Sequence, residues 1–440
     1  MTKNPRLTNA VNHQFIQDLP LSRRGVIRGA GSALALGAAF SLPSHLLAET
    51  VSIKPQEPEL LFADKNSAGG DSPLWGMAMS YGERRLDLID LDNSRILHSF
   101  EGFQASHAII PVEHLNRFVV HGYRPKSKTG ALMVLEVNPV TKAWKVLLDT
   151  DIKGGRLLHW QPRPDLSEVV FNTIGDGGLH VLDTKTLEIQ RYVGGGRHSN
   201  MAMMDDLLIA TDAMAGPSQL LITDRKTNKT LTTTSVNEWG HGVSVNFERG
   251  EAYVWAKDGI HRVSLARKTM GKHLGVIPSL ETGERCWFCW TPQGTQFTHD
   301  VAWNWDSEKG DVYNPYLIAV DMKNARLERI ATGDDDIQPS FLQVSPNGKL
   351  GLASLRGRDE IGIFDLEKNS FKGTVEAGPA RASFFERDMA FCKDRNYALV
   401  TNTAEKSISL LNLKSRQEER RIHLPRKPDW FKSLSAEAWA

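Results

Sequence analysis

A chain of 440 residues with 53 basic and 52 acidic side chains presents no net field for nucleic acid or an anionic membrane surface, and its 40% hydrophobic content is enough for a packed core. Three cysteines are too few for a disulfide framework. Eleven tryptophans call for a fold that packs large aromatics between its layers.

Residues 1–21 are polar. Ser22-Arg23-Arg24-Gly25-Val26-Ile27-Arg28 then opens an apolar Gly/Ala-rich run, Gly29 to Leu42, closed by Pro43. The heptapeptide resembles the twin-arginine signal pattern S-R-R-x-F-L-K, with Val26 for Phe and Arg28 for Lys. The run is too short to span a bilayer, and Ser44 to Ala48 supplies small residues for cleavage. Residues 1–48 are therefore expected to be a signal peptide read by the twin-arginine export machinery. The mature chain, with no stable membrane span, is expected in the periplasm.

The mature chain repeats. A strand ending near an Asp, a short polar turn and a second strand recur eight times, starting at Arg85, Ala131, Leu179, Leu220, Ile260, Leu317, Ile361 and Ile408. A second pair of strands precedes seven of these hairpins, most clearly from His241 and from Ser340. The interval is that of a four-stranded propeller blade. The segments His241-Gly-Val-Ser-Val-Asn-Phe-Glu-Arg-Gly and Ser340-Phe-Leu-Gln-Val-Ser-Pro-Asn-Gly resemble the YVTN-type repeat, though most copies here lack its S-P-D-G turn. The expected fold is all-β: one β-propeller of eight blades, alternatively seven, over residues 49–423. Glu59 to Ala63 would be the first inner strand, and residues 424–440 a tail.

Aligned on the first residue of each inner strand, seven repeats present His107, His159, His198, His241, His299, Ser340 and Arg387. Five imidazoles at one channel mouth are a candidate transition-metal site, with copper the first choice outside the cytoplasm. Repeat duplication accounts for the same pattern without a metal, since the YVTN-type pattern carries a His near this point. Asp300 is placed to orient His299. Arg387 and Arg381 are candidates to orient a small-molecule or anionic substrate. Trp160, Trp239, Trp303 and Trp305 lie near the ring in sequence and read mainly as inter-blade packing.

Cys286-Trp-Phe-Cys289 reads as a local disulfide, a redox pair or half of a metal site, and Cys392 as a buried thiol. There is no P-loop, G-x-S-x-G elbow or c-type haem motif. The architecture is similar to the copper propeller of nitrous oxide reductase, which implies a copper-dependent oxidoreductase. It also resembles the cytochrome d1-haem propeller, which implies a tetrapyrrole held by one axial His. The remaining alternative is a non-catalytic propeller that binds a protein or cell-envelope partner.

Overall fold

Contacts in the computed structural model divide the chain into residues 1–47 and 48–440. The structure describes Glu59–Leu60 and most of residues 74–435; within that span 105–108, 139–140, 197–199, 214–216, 239, 282–284, 287–298, 307–310, 322–323, 335, 346, 380–386 and 393–395 lie outside the described residues. The twin-arginine segment, His107, His198, Arg381, Trp239 and Cys289 therefore lie outside them, as do the side chains of Cys286 and Trp305. No helix among the described residues is long and apolar enough to cross a membrane.

The repeating hairpin has a local cause. Asp90, Asp183, Asp224, Asp321 and Asp365 end the third strand of their sheets, and each side chain accepts a main-chain N–H from the turn that follows. Asn138 and Asn412 do the same in the second and eighth blades. In the fifth blade Ser264 takes the role, accepting from the N–H of Ala266. Such a side-chain cap satisfies turn donors that no strand reaches and fixes the chain reversal.

Among the described residues there are eight antiparallel sheets, seven of them built of four consecutive strands. The second strands are buried on both faces, as in Glu251–Ala256 and Tyr397–Asn402. The outer strands alternate or stay exposed, as in Lys229–Ser235. Eight apolar clusters fill the seams between neighbouring blades, one per seam, among the described residues. The seam between the eighth and first blades holds Leu399, Ile408 and Ile422 against Ile89, Ile96 and Phe431. Burying one such side chain fully is worth about 1.5–3 kcal/mol, and a blade obtains it on both faces only if the ring closes.

Closure differs from the sequence expectation. Trp430–Ser435, within the stretch read as a tail, pairs with Leu74–Ser80 and is the innermost strand of the first blade. Glu59–Leu60, expected as that inner strand, pairs instead with Arg95–Glu101 at the outer edge. The ring is thus joined by the C-terminal strand. Asp388, at the start of the eighth blade's inner strand, locks the join: it accepts the Phe431 N–H at 3.0 Å and the Lys432 ammonium. Asp429 adds a second bond, accepting the Tyr81 N–H at 2.8 Å.

Candidate metal centre at the channel mouth

Inner strands all begin at the same end of their sheets. In four blades a residue at or beside that beginning is held from the end of the second strand. Asn172 Oδ1 accepts the His159 N–H at 3.0 Å, Thr211 Oγ1 the Asn200 N–H at 3.2 Å, and Thr401 Oγ1 the Asp388 N–H at 2.9 Å. In the fifth blade the Trp255 carbonyl accepts the His241 N–H at 3.0 Å. Asn172, Thr211 and Thr401 are fully buried, so this end of these sheets is held firmly.

His159 on Leu157–Pro162 and His241 just before Gly242–Asn246 belong to blades three and five. Their rings nevertheless meet, with centroids 5.3 Å apart and planes at 88°. Asn200, from the blade between them, lies with Nδ2 3.2 Å from His241 Nδ1. Two imidazoles bound to one metal at about 2.0–2.1 Å with a tetrahedral angle would place their centroids roughly 5 Å apart. The ring separation here is of that size. Among the described residues no group of three or more His, Cys, Asp or Glu side chains converges to hold one. His198 lies two residues before Asn200, and His107 two residues before the second blade's inner strand, Ile109–Val112.

His299 is not part of this pair. It opens the second strand of the sixth blade, His299–Asp306, whose inner strand is Arg285–Cys286. In an antiparallel sheet the second strand starts where the first ends, so His299 sits at the opposite end from the mouth. It is buried, and its Nε2 donates to Asn369 Oδ1 of the seventh blade at 2.8 Å. Burial pushes its pKa below the ordinary value, partly offset by that bond. Asp300 projects to the other face of the strand, and its Oδ1 accepts the Val301 N–H at 2.7 Å.

Arg387 is 3% exposed, and its guanidinium donates to the carbonyls of Gly378 and Arg358. It ties the seventh blade's Arg358 to Gly378 and does not present an open fork to an anion. A cation that sequence reasoning missed does reach the mouth end. Arg156, which directly precedes the third blade's inner strand, lies over the Tyr81 ring of the first blade at 5.8 Å. Trp160 packs in the seam of blades two and three, Trp303 is buried in that of six and seven, and Cys392 is buried.

No protein-family model matches the sequence, and no curated protein matches it. Among solved structures the chain is similar to AztD from Citrobacter koseri (13% identity, TM-score 0.59, covering 84% of this chain and 100% of that one) and to its apo form (12% identity, TM-score 0.58, with the same coverage). It is also similar to the dihydro-heme d1 dehydrogenase NirN in complex with DHE, at 12% identity and TM-score 0.58, covering 84% of this chain and 77% of that one. At these identities the likeness is one of fold alone: an eight-bladed β-propeller.

Proposed function

We propose that the protein is exported by the twin-arginine route and works in the periplasm as a propeller that binds a transition metal at its channel mouth. His159 and His241 would hold the ion, with His198 and His107 on the neighbouring loops as further donors. The single observation that carries this reading is the 5.3 Å separation of the two rings across an intervening blade. Imidazole donors outside the cytoplasm suit copper first and zinc next. A bound ion supplies Lewis-acid chemistry, and redox chemistry if it is copper. The chain itself contributes the fixed imidazole pair, the Asn200 amide that orients His241, and the Arg156 cation as an attractor for a small anionic substrate.

A second reading takes the same mouth as a tetrapyrrole site, with His159 or His241 as axial ligand. It draws on the DHE-bound NirN propeller. One preparation separates the two. Protein purified after export in a metal-replete host is analysed for metal content and for a Soret band, beside a His159→Ala, His241→Ala double variant. Stoichiometric metal without a Soret band, lost in the variant, supports the metal site. A Soret band supports the tetrapyrrole. Neither, in folded wild-type protein, overturns both and leaves a non-catalytic binding platform.

A further inference from the structure

A second histidine pair stands apart from the mouth, on the outer strands of the fifth blade. His261 lies on Gly259–Ser264 and His273 opens the edge strand His273–Pro278. The His261 Nδ1 and His273 Nε2 atoms are 2.9 Å apart, and the rings stand at 61°. The other nitrogen of His261 donates to Asp258 Oδ1 at 2.7 Å. His261 is buried, whereas His273 is exposed at the blade's edge.

We propose that His261 and His273 form a second, solvent-open site for a borderline divalent cation, Cu(II) or Zn(II), outside the channel. Two nitrogens bound to one ion at about 2.0–2.1 Å with an angle between 90° and tetrahedral lie roughly 2.9–3.4 Å apart. The pair is already near that spacing, so binding needs a shift of tenths of an ångström. Asp258 occupies the position of the carboxylate that orients a metal-bound imidazole and raises its basicity through the far nitrogen. Burial pushes the Asp258 carboxyl up, but hydrogen bonds from His261 and Asn237 outweigh it and keep it ionised. Burial first, then the neighbouring His261, lowers the His273 pKa from its ordinary value.

The protons balance without loss. In the free protein Asp258 takes the His261 Nε2–H, and the vacant Nδ1 accepts the proton on His273 Nε2. When the ion enters, His273 moves that proton to its solvent-facing Nδ1, and both inner nitrogens become donors to the metal. The remaining coordination positions are filled by water or an exogenous ligand, which makes this a weak, exchangeable site rather than a closed structural one.

The test uses the full chain carrying His159→Ala and His241→Ala, so that failure of this site is distinct from failure of the mouth. Cu(II) is titrated into the chelator-treated protein and followed by electron paramagnetic resonance. The expected result is one saturable equivalent with hyperfine coupling to two nitrogens. His273→Ala should weaken it at least tenfold. Asp258→Asn, which keeps both ligands, should weaken it by about tenfold. His273 is exposed, so its replacement leaves the fold intact. No saturable binding in the double variant, or binding that His273→Ala leaves unchanged, overturns the proposal.

Discussion

His159 and His241 stand two blades apart, yet their rings meet edge to face with centroids 5.3 Å apart. The blade between them contributes Asn200, whose side chain is short enough to lie beside the pair rather than push it open. Its amide reaches His241 Nδ1 at 3.2 Å. The mouth is thus built from residues of neighbouring blades held at one height by bonds from their second strands.

The Asn200 contact yields the first prediction. A metal on His241 Nε2 requires the proton on Nδ1, and an acceptor at position 200 stabilises that tautomer. Asn200 presents its Nδ2 to Nδ1 in the structure, so its amide must turn before its oxygen can accept that proton. Asn200→Asp places a carboxylate there and should raise metal affinity by about tenfold, whereas Asn200→Ala should lower it by a similar factor. Competition against a chromophoric chelator at pH 7.5 reads both. Equal affinities in the three proteins would show that the imidazole pair is not a ligand pair.

The chain leading to Asn200 is set by its glycines. A Cβ on Gly196 would lie 2.5 Å from the Asp212 Cβ and 2.6 Å from its Cα, and no side-chain rotation relieves a backbone clash. Gly196→Ala should therefore displace residues 193–200. Stability should fall by about 1–3 kcal/mol in urea unfolding, and metal affinity should fall further than in a surface control.

The repeat was readable because it is local. An Asp or Asn in seven blades, and Ser264 in the fifth, caps its own turn, so the eight hairpins could be counted without knowing their neighbours. The register of the inner strands was not readable. Met201–Met204, Met389–Phe391 and Arg285–Cys286 are too short to display a period of two. In the sixth blade the chain between Cys286 and His299 separates the inner strand from the second. His299-Asp-Val-Ala-Trp thus read as an inner strand when it is the next one out. Ring closure was hidden for another reason. Trp430–Ser435 pairs with Leu74–Ser80, and nothing in a single chain announces a partner at the other terminus.

That closure is held by a few buried polar bonds and can be tested directly. Asp388 is 3% exposed and accepts from both Phe431 and Lys432. Asp388→Ala leaves an orphaned N–H and an uncompensated, largely buried ammonium. The expected cost is about 3 kcal/mol, read in urea or thermal unfolding. The double variant Asp388→Ala, Lys432→Met removes the stranded charge and should recover at least a third of that loss. If the single variant unfolds like wild type, the C-terminal strand is not what joins the ring.

A buried imidazole in the seam of blades two and three governs acid stability. His180 is 5% exposed, and its Nε2 has no hydrogen-bond partner among the described residues. Burial first, then the Arg191 charge, push its pKa down from 6.5 to about 4, against a smaller pull upward from Asp176. The folded state therefore binds fewer protons than the unfolded chain between those two values. Stability is full above about pH 6.5, declines as pH falls toward 4, and loses on the order of 3 kcal/mol across that window. His98 and His299, both lowered chiefly by burial, add to the slope in the same sense. His180→Leu removes a buried nitrogen without a partner, so near pH 7.5 it should be neutral or slightly stabilising. Its advantage over wild type should grow as pH falls to 4.5. Urea unfolding at a series of pH values measures this difference, and parallel curves for the two proteins would rule out His180 as the titrating group.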